Sequence, residues 1–243
     1  EFRNGESGLH VQHIRTLTEK ILDHLLEKTS DYKISAEEQD NIPLASALHD
    51  IGKITIDENI LNKPGRLTKE EFEVIKTHCM QGANMLRRLE NFEDEPLLQT
   101  AYDIARWHHE RWDGRGYPDG LKGNDIPISA QIVSLADVYD ALTSERCYKK
   151  AFSHETAMRM ILNGECGAFN PVLLQCLEEV QDRIKREIEA GSEPSARELE
   201  EIISLLQDQG IPAVFTEING TADAAELVAR ETGCAVFSLD TAI

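Results

Sequence analysis

The sequence lacks any apolar run approaching the roughly 18–20 residues that cross a bilayer. Its opening residues, EFRNGESGLHVQHIRTLTEK, are polar and periodic, not a basic head followed by an apolar stretch. No membrane span and no secretory leader are expected, and the chain reads as cytoplasmic. The five cysteines (Cys79, Cys147, Cys166, Cys176 and Cys234) form no CxxC pair and no zinc-finger spacing, so they read as free thiols in a reducing compartment. Positive charge is also scarce. With 25 Lys and Arg against 44 Asp and Glu, the formal net charge is −19, which argues against attraction to a DNA or RNA backbone. An anionic substrate would need locally placed cations. Hydrophobic residues at 41% exclude a disordered chain.

What is present is histidine, and it is unevenly placed: all eight lie between His10 and His154. The same region carries strong helical grammar. Leu9, Leu17, Ile21, Leu25 and Leu26 recur at helical spacing over 8–28. Ser35 with Glu38, and Thr68 with Glu71, are capping boxes; they open one helix running to about His49 and another that passes His78 towards Leu89. Further helices are expected at about 97–108, 129–143 and 154–163, the last between a Ser153 cap and a Gly164 stop. A long one follows the Asn170-Pro171 start. Residues 109–127 (HERWDGRGYPDGLKGNDIP) hold four glycines and two prolines, which exclude a regular element. A loop of that length in a compact domain is usually functional or disordered. The predicted fold is mainly α up to about residue 190. Beyond it, a helix from Ser195 to Gly210, a strand near Ala213-Val214-Phe215, a helix near 221–232 and a strand near Ala235-Val236-Phe237 make an αβαβ fragment with parallel strands. Two strands are too few for an independent sheet, and their exposed edges could favour pairing with a second chain.

Two adjacent pairs, His49-Asp50 and His108-His109, fall at expected helix ends, where neighbouring side chains can converge. Carboxylates can bridge cations while imidazoles fill terminal positions. His10, His78 and Asp137 lie on separate predicted helices able to surround the same cavity, and Glu6 lies one turn before His10 on the same face. His13, His24 and His154 read as scattered surface residues.

The phrases LHDIGK (48–53), KTH (76–78), HHERWDGRGYPDGLKGNDIP (108–127) and ADVYDALTSERCYKK (136–150) resemble the HD-GYP family, HD-superfamily phosphodiesterases acting on cyclic di-GMP. The resemblance runs from about Glu6 to about Val180 and implies an HD-domain helical bundle over 1–190. It implies that His10, His49, Asp50 and Asp137 are the ancestral metal ligands and that His78, His108 and His109 are ligands the family adds. Glu6 matches the acidic ligand that separates three-metal from two-metal members. Two or three divalent cations are implied, iron first and manganese second. They would lower the pKa of a bridging water and clamp phosphate oxygens. Lys53 matches a lysine that contacts the scissile phosphate or helps protonate the leaving group. Tyr117 and Pro118 match the signature that shapes the substrate lip, and Arg146 and Lys149 match positions that hold phosphate and guanine. Cys147 stands where relatives commonly carry proline. The implied substrate is a cyclic dinucleotide. Cyclic GMP-AMP as the substrate, or a receptor that binds without hydrolysis, are the alternatives.

FRNGESGLH resembles the junction that follows a receiver domain, so an upstream receiver or sensor domain is expected. Residues 193–243 resemble part of the second lobe of zinc- or manganese-binding proteins of ABC importers. Glu217 matches one ligand position there, but the first lobe's histidines have no counterpart.

Overall fold

A computed structural model of the chain describes residues 8–89, 92–144, 151–191, 213–217, 229–232 and 235–239. Glu6, Arg146, Cys147, Lys149 and the helix expected from Ser195 to Gly210 lie outside these residues. The chain divides into two compact units, Glu1–Ile184 and Lys185–Ile243.

The first unit is helical, and its boundaries follow local chemistry. Helix α1 (Gly8–Lys28) buries Ile14, Leu17, Ile21, Leu22 and Leu25, a stripe at helical spacing. Leu9, expected on that stripe, is 36% exposed. Helix α2 (Ala36–Ala45) starts from the Ser35–Glu38 capping box. It ends earlier than the sequence suggests: the backbone tightens into a 3₁₀ turn, Ser46–Leu48, and a second one, Ile51–Thr55. After the short α3 (Glu58–Leu61), helix α4 (Lys69–Arg87) opens from the Thr68–Glu71 capping box. Helices α5 (Pro96–Trp107), α6 (Ile128–Thr143) and α7 (His154–Leu162) match their expected spans, and Gly164 stops α7 with φ +73°. Helix α8 (Pro171–Gly191) starts where Asn170 Oδ1 accepts the Val172 N–H at 3.0 Å. The boundary between the units falls within α8, ahead of the expected residue 190.

Helix α6 is the centre of this unit. It packs on α1, α5 and α7 and buries Ala130, Ile132, Val133, Leu135, Ala136 and Leu142. Helix α4 packs on α5 and on the second 3₁₀ turn. There the backbones nearly touch: a Cβ on Gly52 would overlap the carbonyl oxygen of His78 and lie 2.5 Å from the amide nitrogen of Gly82. Only glycine permits that approach, and it sets the distance between the His49-Asp50 corner and His78.

The second unit, among the described residues, contains β1 (Ala213–Glu217) and β2 (Ala235–Leu239), with a helical turn at 229–232. The strands pair in parallel, from Ala213 opposite Ala235 to Glu217 opposite Leu239, as the sequence suggests. Among the described residues no helix is long and apolar enough to cross a membrane.

Candidate metal centre

His49 and Asp50 occupy the step between the two 3₁₀ turns. The Asp50 backbone (φ −104°, ψ 11°) leaves the helical path there, so two consecutive side chains reach one cavity. Helix α4 contributes His78, the end of α5 contributes His108 and then His109, α1 contributes His10 and α6 contributes Asp137. Single ligand atoms of His10, His49 and Asp50 lie within 4.8 Å of one another, as do those of His78, Cys79, His108 and His109. Asp50 joins the two groups: its Oδ1 is 3.1 Å from His78 Nε2 and 3.7 Å from His108 Nε2, and its Oδ2 is 3.2 Å from His49 Nε2. Asp137 stands further out, with Oδ1 3.9 Å from His49 Nε2. Of the eight expected ligands, seven are therefore brought together, and Glu6 lies outside the described residues.

The ring nitrogens pointing away from the cavity fix the chemistry of those pointing in. His49 Nδ1 lies 2.9 Å from the Ser46 carbonyl, His78 Nδ1 2.7 Å from that of Ile75, and His108 Nδ1 2.9 Å from that of Ile104. A carbonyl only accepts, so each Nδ1 carries the hydrogen, and in the neutral ring Nε2 presents a lone pair to the cavity. Burial, with the neighbouring histidines adding to it, holds His109 well below the usual imidazole range. Burial also lowers His108, against the opposing charge of Asp50. Burial would raise Asp50, but its surroundings, with the Lys53 ammonium 2.6 Å away, hold the carboxylate well below its usual range. Acceptors consequently face acceptors: the Nε2 atoms of His78 and His108 are 3.4 Å apart, beside the Asp50 oxygen. Such a cluster is unfavourable unless a cation lies between the lone pairs. This nitrogen and oxygen set fits divalent metal cations.

Cys79, which the sequence did not single out, borders the same group of ligand atoms. Its Sγ lies 3.4 Å from His78 Nε2. Burial pushes the thiol far above its usual range. Cys79 and Cys176 are free thiols.

The surface role expected for His13 is incorrect. His13 is buried, and its Nδ1 lies 2.8 Å from Asp140 Oδ1, while His10 Nδ1 lies 2.6 Å from Asp140 Oδ2. One buried carboxylate thus accepts from two imidazoles. Burial would raise Asp140, but the two histidines hold it well below the usual carboxylate range. Asp140 directs His10 Nε2 at the cavity, as carboxylates behind metal-bound histidines do. The sequence signal was limited to spacing: His10 and His13, and likewise Asp137 and Asp140, are i,i+3 pairs that share a helical face, which does not show what that face meets. His24 pairs with Glu179 at 2.6 Å, and His154 Nδ1 lies 2.7 Å from the Tyr139 hydroxyl.

Lys53, one turn past Asp50, places Nζ 2.6 Å from Asp50 Oδ2. The glycine-rich loop is held rigidly. Glu110 Oε1 accepts the backbone N–H groups of Asp119 and Gly120, and Asp119 accepts from Arg106 and from Trp107 Nε1. A Cβ on Gly116 would overlap the backbone at Glu110 and Arg111, so the loop can fold this tightly only with glycine there. The result presses the Tyr117 ring to 4.9 Å from that of His109.

Against known proteins, the HD domain family profile matches residues 8–168. A profile described as zinc-uptake complex component A, periplasmic, matches residues 177–242. A probable cyclic di-GMP phosphodiesterase from Vibrio cholerae is 43% identical over 178 residues, covering 72% of this chain and 40% of that protein. A 3'3'-cGAMP-specific phosphodiesterase from the same organism is 40% identical, covering 75% of this chain and 33% of that protein. The chain thus spans well under half the length of these two relatives. An HDG"Y"P protein from Bdellovibrio bacteriovorus shares the fold with a TM-score of 0.54 at 22% identity, over 71% of this chain and 51% of that one. The chain belongs to the HD domain family.

Proposed function

We propose that this chain is a metal-dependent phosphodiesterase that opens cyclic di-GMP to linear pGpG, or onward to GMP. One observation carries the reading: several imidazole lone pairs, fixed by backbone carbonyls, converge with the Asp50 carboxylate on one cavity. The names of the similar Vibrio proteins supply the substrate class. His10, His49, His78, His108 and His109 provide the nitrogen donors, and Asp50 and Asp137 the carboxylates. Glu6 decides between two cations and three, with iron as the first choice and manganese the second. The chemistry that divalent cations supply at such a centre is a water ionised near neutral pH and relief of charge on the phosphate.

The chain's own groups do the rest. Lys53 extends into the site beside Asp50, where its ammonium meets a phosphate oxygen and delivers a proton to the departing ribose oxygen. Arg146 and Lys149 hold phosphate and guanine, giving the local positive charge that a chain of net charge −19 otherwise lacks. Tyr117 forms the lip above His109. Burial raises its hydroxyl well above the usual range, so it acts as a neutral aromatic and donor.

The test is hydrolysis of cyclic di-GMP by protein loaded with iron or manganese, followed chromatographically. Turnover is expected, with its loss in His49→Ala and in Asp50→Ala. Metal-loaded protein that leaves every cyclic dinucleotide intact would overturn the proposal. A relative specific for 3'3'-cGAMP at 40% identity supports a second substrate, and parallel assays with both nucleotides rank the two.

A further inference from the structure

Helix α4 carries an exposed aromatic that the core does not explain. Phe72 is 45% exposed and meets the Tyr117 ring edge-on, with centroids 6.2 Å apart. Tyr117 in turn lies against His109, so three rings lead from the metal centre to the surface. Lys76, one turn along from Phe72, places Nζ 5.6 Å from the Phe72 centroid and 5.8 Å from the Tyr117 centroid. The same ammonium is 2.6 Å from Glu73 Oε1. An apolar ring face, a donor and an acceptor thus stand together at the outer edge of the cavity.

We infer that Phe72, Glu73 and Lys76 form a guanine-binding lip: Phe72 stacks on the base, Lys76 donates to O6, and the Glu73 carboxylate accepts from N1–H and the N2 amino group. The inference rests on the cyclic dinucleotide reading given above. A phosphate held at the metals leaves its attached nucleoside directed outward, and the ring path through Tyr117 ends at Phe72. Stacking on an aromatic side chain is indifferent to base identity, because every base has a π face. The adjacent donor and carboxylate are not indifferent. Guanine offers them one acceptor and two N–H groups, whereas adenine offers one ring acceptor and one amino group. Phe72 therefore supplies affinity and the Glu73–Lys76 pair supplies preference for guanine.

Binding and turnover together test this. Calorimetric titration of cyclic di-GMP and cyclic di-AMP into manganese-loaded full chain gives affinity, and hydrolysis of the same nucleotides gives kcat and KM. Phe72→Ala is expected to weaken binding of both nucleotides by about tenfold, the order of one lost base stack, and Phe72→Tyr to restore it. Lys76→Met and Glu73→Gln are expected to weaken cyclic di-GMP selectively and shrink the guanine preference. Thermal melts of these exposed-site variants should match the parent. If the parent binds cyclic di-GMP and Phe72→Ala binds it equally, or the guanine preference survives both polar substitutions, the lip is overturned. Binding with the expected variant effects but no hydrolysis would overturn the proposed activity and leave the lip standing. No binding of any cyclic dinucleotide by the parent would overturn both.

Discussion

An imidazole becomes a dependable metal donor only when its other nitrogen is committed elsewhere. In this chain three such commitments are to backbone carbonyls one helical turn back, at Ser46, Ile75 and Ile104, and they cost the sequence no further side chain. His10 is held differently, by Asp140, which it shares with His13. Asp140→Asn keeps the shape but replaces one accepting oxygen with an amide donor, so one of the two rings must turn or change tautomer. Metal affinity is expected to fall by about 10–100-fold, read as metal retained per chain after dialysis against graded chelator. Unchanged retention would show that His10 needs no such anchor. The candidate ligands were legible because they recur in short phrases. Asp140 and His13 were not recognised, since an i,i+3 spacing shows which residues share a helical face and not what that face meets.

At the scale of elements, the site is a set of helix ends and corners pressed close together. The capping boxes at Ser35 and Thr68 set where α2 and α4 begin, and sequence shows them plainly. The tightening of α2 into 3₁₀ turns around His49 and Asp50 is imposed by packing on α4, through the contact of Gly52 with the backbone at His78 and Gly82. In Gly52→Ala the obstructing atoms are backbone, so they cannot rotate aside. A stability loss of about 1–3 kcal/mol is expected, together with weaker metal retention, because the Asp50–His78 distance must open. Chemical denaturation and metal analysis on the same preparation check both. A variant with full stability and full metal content would contradict the close-approach argument.

For the molecule as a whole, acid–base behaviour gives a separate handle on stability. Asp103, on α5, has its carboxyl pushed up to about 6 by burial. Its folded-state pKa exceeds the unfolded value, so it favours the folded state below about pH 4, and that contribution is lost as pH rises through 6. Asp103→Asn removes the penalty. It is expected to be more stable than the parent by about 1 kcal/mol at pH 7, with solvent screening allowed for, and equal to it below about pH 4. Urea unfolding at the two pH values measures the difference, and an equal gap at both would remove burial of the charge as its cause.

The sequence by itself determined the helical class of the first unit, the spans of most helices, the parallel strands of the second unit and the residues that converge as donors. The elements are written in local chemistry, as apolar period, caps, and glycine and proline punctuation, and the converging residues in short phrases that resemble a known family. Only the tertiary structure decided which atoms of those donors face the cavity, that Asp50 joins the two histidine groups, that Asp140 stands behind His10, and that Cys79 and Phe72 border the centre. Those facts depend on how separate helices approach one another, and no local pattern along a chain encodes a distance between residues more than a hundred positions apart, such as the 2.6 Å from His10 to Asp140.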